Sequence, residues 1–439
     1  MSRHQSWGRY PKVDQQALVL TNRHNALPTG EHSLLPFGNG RSYGDSCLNS
    51  EGVVLDTIYL KKLISFDLNL GVLRCESGVT FAEIIDVLMP KGWFLPVTPG
   101  TKFVSVGGAI ANDVHGKNHH RDGNFGHFVR QFELVRSSGE RLICSPSQNK
   151  ELFHATIGGL GLTGMITWAE IQMKPIQSAF LDVETICYSG LDEFKRLSDD
   201  SKKDFEYTVA WVDCMATGAD LGRGIFMRAN HSTNEEASFS PKKSLTIPLD
   251  FPAWALNRFS ISYFNKLYYW KGSRSHGKTF TQSYDAFFYP LDGIHHWNRI
   301  YGRQGFLQYQ FVVPSEDYGA IKEAFEVIAK AGAGSFLAVL KEFGDIPSLG
   351  MLSFPRQGVC LALDFPNQGS RTFTLLDRLD AIVREAGGAV YPAKDARMSA
   401  ESFAQFFSKQ KEFETYVDSA FSSDFWRRTR MDQNGSELI

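Results

Sequence analysis

The sequence predicts an α+β protein of two domains, and three observations carry that prediction. The first 175 residues alternate short apolar runs with turn residues and contain two glycine-rich loops. Residues 306–391 read in the order β-α-β-β-α-β, the split unit of ferredoxin-like folds. A chain of 439 residues with 43% hydrophobic and 21% charged content is long enough to build both cores without disulfide or metal staples.

In chain order, residues 17–21, 34–37, 53–56 and 72–75 read as strands, apolar runs bounded by Gly, Asn and Asp. Thr80-Phe-Ala-Glu83 is a capping box, and Phe81, Ile84, Ile85 and Leu88 form one helical face that ends before Pro90. Strands at 132–136 and 141–144 flank the hairpin signal Ser-Ser-Gly-Glu. A helix over 151–160 runs into Gly-Leu-Gly-Leu-Thr-Gly164, and a strand over 165–173 closes this half before Lys174-Pro175. In the second half, 306–313 alternates as a strand. Pro314 and Ser315 start a helix to Ala331, with Ile321, Phe325 and Ile328 on one face. Strands at 335–341 and 359–364, a helix over 371–386 stopped by Gly387 and Gly388, and a last strand at 389–391 complete the unit.

The domains expected are 1–175, completed by 391–439, and 176–390. Within the second, 229–285 reads as a mobile segment. Its first part, 229–243, is polar. Residues 245–272 mix Phe, Trp, Tyr and Leu with Pro, Lys and Arg, an aromatic, basic, irregular stretch. Such a stretch suits peripheral contact with a bilayer or cover for a lipid-tailed substrate, and equally an ordinary loop packed on its own domain.

Composition narrows the function. A net charge of −2 gives no polyanion footprint, so no nucleic-acid partner is expected. The six cysteines are widely spaced without a CxxC pair, which argues against a zinc ribbon, an iron–sulfur cluster or a thioredoxin-like site; no metal is expected, and free thiols suit a reducing compartment. No apolar run near the start reads as a secretory signal and none is long enough to span a membrane, so the expected location is cytoplasmic, with contact at the inner membrane face at most. The 34 Phe, 15 Tyr and 8 Trp suit a chain that encloses a large planar or apolar ligand.

The most informative segment is 97–120, VTPGTKFVSVGGAIANDVHGKNHH. Small residues let backbone N–H groups approach a pyrophosphate, and consecutive amides form an anion-binding concavity. His115 and Lys117 follow on the same segment. A second glycine loop, Gly38-Asn-Gly-Arg-Ser-Tyr-Gly-Asp45, lies upstream, and two such loops indicate a large phosphate-bearing cofactor. Neither GxxxxGK[ST] nor a strand–GxGxxG–helix unit is present, so neither a P-loop NTPase nor a Rossmann dehydrogenase is supported.

These loops, with 158–164, resemble the flavin domain of vanillyl-alcohol-oxidase-type (PCMH-type) FAD enzymes. HGKNHH at 115–120, FLQYQFVVP at 306–314, Tyr289-Pro-Leu-Asp292, Trp297-Asn-Arg-Ile-Tyr-Gly302, Tyr391-Pro-Ala-Lys-Asp395 and the opening Ser6-Trp-Gly-Arg9 are similar to one branch, the decaprenylphosphoryl-ribose oxidases. The resemblance covers nearly the whole chain in order. It implies a cell-envelope enzyme of arabinose biosynthesis that oxidises the 2′-hydroxyl of a polyprenyl-phosphoryl-β-D-ribose to a ketone. It also implies a short-chain NAD(P)-dependent reductase partner that completes an epimerisation.

By the same resemblance, FAD is held by Gly38, Asn39, Gly40, Arg41, Ser42, Tyr43, Gly44, Pro99, Gly100, Thr101, Ser105, Gly107, Gly108, Ala111, Asn112, His115, Gly161, Ile166, Tyr391 and Lys394. Many relatives tether the flavin through a His where this chain has Arg41, so a non-covalent cofactor is expected. The expected catalytic residues are Lys394, His115 and Tyr43. Lys394 would hold the flavin's pyrimidine edge and the reacting hydroxyl, where its charge stabilises an anionic reduced flavin. His115 would position the ring or relay the proton. Lys117, Gln308, Gln310, Lys341, Phe343, Cys360 and Ala362 would line the sugar-phosphate pocket, with Gln308 and Gln310 on one strand face. Two departures stand out: a pocket cysteine of the branch aligns with Ala362, and a neighbouring Asn position holds Cys360. Two alternatives stay open, an oxidase of a free sugar, alditol or aldonolactone, and a non-catalytic flavin or lipid-sugar binding protein.

Overall fold

A computed structural model describes residues 3–233, 245–252 and 254–430. The chain opens with a parallel sheet of β1 (Gln16–Val19), β2 (Ser33–Phe37) and β3 (Gly52–Asp56), in the order β1-β3-β2. An antiparallel sheet of β4 (Leu63–Asp67), β5 (Val72–Glu76), β6 (Val129–Val135), β7 (Arg141–Cys144) and β8 (Met165–Gln172) follows, in the order β4-β5-β8-β6-β7. Helix α1 (Phe81–Leu88) starts at the expected capping box, with Thr80 accepting from Glu83 N and Glu83 from Thr80 N. The loop after it leads into α2 (Val106–Ala111), whose first turn is capped by Ser105. Helix α3 (Lys150–Thr156) is shorter than its apolar pattern indicates, because the chain leaves the helix for the glycine-rich turn at 158–164.

The remainder is organised by an eight-stranded sheet. Its members are β9 (Phe180–Tyr188), β10 (Tyr207–Val212), β11 (Gly224–His231), β12 (Lys278–Ser283), β13 (Phe306–Val313), β14 (Ala338–Phe343), β15 (Gly358–Pro366) and β16 (Ala389–Val390). The order is β12-β9-β11-β10-β14-β15-β13-β16, and every pairing is antiparallel. Helix α4 (Leu191–Ser201) connects β9 to β10. Helices α6 (Tyr318–Ala331) and α7 (Ser370–Glu385) cover one sheet face, and α6 starts at its cap Asp317, three residues later than the sequence indicates.

Much of the segment 229–285 has regular structure. Residues up to His231 lie in β11, Arg258–Ser273 form the 16-residue helix α5, and β12 pairs with β9 over six residues. Asn257 caps α5 by accepting from Phe259 N and Ser260 N, and the buried Asn265 fixes it by donating to Asp213 (3.1 Å) and Ser335 O (3.3 Å). Local bonds and sheet pairing thus give regular structure to a stretch whose mixed composition shows no period. The polar part at 234–244 lies outside the described residues.

Apolar side chains from both sides of residue 175 pack together. One cluster joins Phe81, Val106 and Phe132 to Leu181, Tyr207 and Phe287. Another joins the eight-stranded sheet to Phe403, Phe413 and Trp426 of the C-terminal helices. Those helices are also tied to the first sheet: Arg428 holds Asp45 (2.8 and 2.9 Å) and Asp395 (2.9 Å), and Phe421 bridges Leu34. Among the described residues, no helix is long and apolar enough to cross a membrane.

Candidate active site

Both glycine loops and one face of the eight-stranded sheet meet around a cavity of about 1030 Å³. The first loop is held from two sides. Trp7 N donates to Ser42 O (2.8 Å) and Tyr43 N donates to Ala393 O (2.9 Å), so the loop lies between the N-terminal segment and the 391–395 turn. A Cβ at Gly44 would collide with the carbonyl of Asp395, so this approach requires glycine. The second loop is tied by Asn39, which donates to Phe103 O (2.7 Å), and by Thr98 with Tyr289 OH (2.6 Å).

The sheet supplies the opposite wall through strand alternation. Register places Gln308 opposite Asp364 on β13 and β15, and Gln310 opposite Ala362. Val339 and Lys341 on β14 and Trp211 on β10 extend the same face. Lys394 enters from the 391–395 turn with its Nζ 3.8 Å from the Tyr43 ring centroid. Lys117 is positioned by Thr208 N donating to its carbonyl (2.9 Å), and its amine contacts Phe287 O and the Phe287 ring.

The cavity is lined by more basic than acidic side chains. Its lining contains Arg41, Lys117, Lys341 and Lys394 against the carboxylates Asp292 and Asp364. Desolvation lowers the amines of Lys117 and Lys394 to about 7, with Lys341 depressing both further and Asp364 partly restoring Lys394. Desolvation also raises Asp364 to about 7, against the opposing pull of Gln308 and Lys394. Gln308 donates to Asp364 (2.7 Å), as does Tyr301 at 3.4 Å. An anionic guest would favour the charged form of these amines against the desolvation that depresses them.

His115 lines the same wall. Burial and Lys341 hold its imidazole neutral, well below the ordinary histidine value. Gln310 Nε2 donates to His115 Nε2 at 2.8 Å in the tautomer protonated at Nδ1, and that Nδ1 has no partner among the described residues. Buried Ser46 Oγ and Ser77 Oγ, also on the cavity, likewise have none. A Cβ on Gly100 would meet nothing within 4 Å, whereas one on Gly38 would strike Ser105 Oγ. Unsatisfied donors and acceptors, small residues on two loops and surplus positive charge fit a dinucleotide with a pyrophosphate and a polar ring system.

The structure brings nearly all the expected residues to this cavity. Gly38, Asn39, Gly40, Arg41, Ser42, Tyr43, Pro99, Gly100, Thr101, Ser105, Gly107, Gly108, Ala111, Asn112, His115, Gly161, Ile166, Tyr391 and Lys394 line it, as do Lys117, Gln308, Gln310, Lys341 and Ala362. Three stand one layer back. Gly44 packs on Asp395; Phe343 sits against the His115 ring at 4.9 Å; Cys360 receives a hydrogen bond from Gln310 at 3.3 Å, its thiol pushed up to about 11 by burial. The sequence reading missed Asp364, although it lies two residues beyond Ala362 on the same strand face, where alternation alone should have found it. Trp7, Trp211 and Asp292 were also missed as wall residues; Trp211 belongs to a strand buried on both faces, which carries no alternation.

Residues 21–145 match the FAD binding domain family, and with the geometry above this makes the chain an FAD-dependent oxidoreductase. It is 36% identical to the decaprenylphosphoryl-beta-D-ribose oxidase of Mycolicibacterium smegmatis over 92% of this chain and 91% of that protein. It is 31% identical to an uncharacterised protein of the mprA 5′ region in Streptomyces coelicolor, over 80% of this chain and 99% of that one. The human Delta(24)-sterol reductase is 33% identical over 27% of this chain and 23% of its own length. The chain belongs to the decaprenylphosphoryl-β-D-ribose oxidase family.

Proposed function

We propose that this protein oxidises the 2′-hydroxyl of a polyprenyl-phosphoryl-β-D-ribose to the 2′-keto sugar, with FAD bound non-covalently. The observation that supports this reading is the convergence of Lys117, Lys341 and Lys394 with Gln308 and Gln310 on the lining of one cavity. Lysines suit a phosphodiester, and paired amides suit ribose hydroxyls. Arg41, stacked on Trp7 at 4.4 Å, offers no nucleophile for a covalent flavin link.

Bound FAD supplies the hydride acceptor. The chain's own groups do the rest. Lys394 binds the reacting hydroxyl and carries positive charge where negative charge develops. Neutral His115, oriented by Gln310, presents its Nδ1–H as a hydrogen-bond donor that positions the bound ring or the sugar. Tyr43 and the apolar rings of Trp211 and Phe336 exclude water from the reacting carbon. We also read residues 306–390 as a ferredoxin-like unit within a substrate domain, a reading supported by the strand order β14-β15-β13-β16 with α6 and α7 on one face. The keto product calls for a reductase of the short-chain NAD(P)-dependent class to complete an epimerisation.

A substrate deuterated at C2′ tests the reading. Oxidation at that carbon slows turnover and removes the label from the sugar; an unchanged rate with the label retained contradicts it.

A further inference from the structure

Helix α5 presents three different faces. Ile261 and Asn265 are buried against the sheet, and Phe264 and Tyr268 line the cavity. The third face, Phe259, Tyr263, Leu267 and Trp270, spaced three or four residues apart, is open to solvent, with Phe259 83% and Tyr263 72% exposed. Leu249 and Trp254, on the segment leading into the helix, are exposed to 74% and 77%. That segment is clamped rather than loose: Arg9 pairs with Asp250 at 2.6 Å, and Arg299 donates to Ile247 O and Pro248 O. Large apolar side chains exposed together on one helix face and on the segment before it are atypical of a free soluble surface.

The charge on this ridge is one-sided. Residues 251–284 contain no Asp or Glu, in a chain with 48 of them, yet hold Arg258, Lys266, Lys271, Arg274 and Lys278. Lys266 and Lys271, both exposed, lie at helical positions beside the stripe, and Arg274 stacks on Trp270 at 3.7 Å. Protein–protein interface cores are depleted in lysine, whereas aromatic side chains flanked by Lys and Arg suit the headgroup region of an anionic bilayer. With no membrane-crossing helix among the described residues, such contact is peripheral.

We propose that α5 docks this protein on an anionic lipid surface, with Phe259, Tyr263, Leu267 and Trp270 entering the interface and Lys266, Lys271 and Arg274 meeting headgroup phosphates. Phe264 and Tyr268 on the same helix then set the cavity mouth against the bilayer. An apolar substrate tail passes from lipid into the cavity without crossing water. This last step rests on the lipid-linked substrate reading; docking itself does not.

Vesicle flotation of the full-length, FAD-loaded protein tests the proposal without any substrate. The protein floats with phosphatidylglycerol/phosphatidylethanolamine vesicles, and binding weakens at about 0.5 M NaCl. The double variant Phe259→Ser/Trp270→Ser loses about tenfold or more in vesicle binding while its flavin spectrum is unchanged. Three results overturn the proposal: wild type that stays in solution, a double variant that floats equally well, or equal binding to phosphatidylcholine vesicles. A wild-type dimer that the double variant converts to monomer also overturns it, by making the ridge a contact between copies. If flotation succeeds and lipid-linked ribose is not oxidised, the substrate reading fails and the docking surface stands.

Discussion

Replacing Lys394 by Met removes the cation closest to Tyr43 while keeping the length and packing of the side chain. Lys394 makes no direct ion pair among the described residues, but the substitution also takes from the buried Asp364 a cation that favours its carboxylate form. Loss of one preorganised electrostatic contact to the reacting oxygen costs about 10²–10³ in rate, or about 3–4 kcal/mol of barrier. The same residue sets a pH dependence. Burial lowers its amine to about 7 in the cofactor-free cavity, so the ammonium form is lost as pH rises through neutrality. The form that acts is therefore lost as pH rises, and kcat/KM falls through neutrality. Bound phosphodiester raises the amine's pKa, so the corresponding limb of kcat lies at higher pH. Stopped-flow flavin absorbance under anaerobic conditions reads both. A Lys394→Met protein within about threefold of wild type, or a flat wild-type kcat/KM between about pH 6 and 9, refutes the reasoning.

Other predictions follow from the same geometry. Arg428→Gln leaves Asp45 and Asp395, both buried, without their guanidinium; it destabilises by about 3–5 kcal/mol and weakens FAD retention, measured by denaturant titration and flavin release. In FAD-free protein, Lys117 and Lys394 release protons near pH 7 that the unfolded chain keeps to about 10.5, so stability rises from pH 7 to about 8.5. Differential scanning fluorimetry checks the slope, and a falling melting temperature over that interval contradicts the assignment. Ala362→Cys places a thiol on the cavity wall opposite Gln310, where a small maleimide labels it and blocks turnover. Wild-type Cys360, buried with its thiol at about 11, stays unlabelled under the same conditions.

Much of this arrangement was legible in the sequence where local chemistry decides local structure. The capping box at Thr80 and Glu83, the strand over 306–313 with Gln308 and Gln310 on one face, and the two glycine loops each declare themselves through residue type and spacing. Strands Phe180–Tyr188, Tyr207–Val212 and Gly224–His231 were not foreseen. Tyr207–Val212 is buried throughout and shows no alternation, and the edge strand Lys278–Ser283 is mostly polar. Helix α5 escaped notice because each of its faces meets a different environment, so no apolar period survives. Asp364 needed only the alternation already applied to Gln308 and Gln310. The crossing of residue 175 by the apolar core depends on contacts between distant segments, which spacing along the chain does not encode.

The central claim is that a phosphate-linked ribose is oxidised in the lysine-lined cavity. Anaerobic bleaching of the bound flavin, compared between polyprenyl-phosphoryl ribose, free ribose and alditols, tests it most directly. Bleaching by the lipid-linked sugar alone is the predicted result. Bleaching by free ribose or an alditol with equal efficiency contradicts the claim and makes this chain an oxidase of soluble sugars.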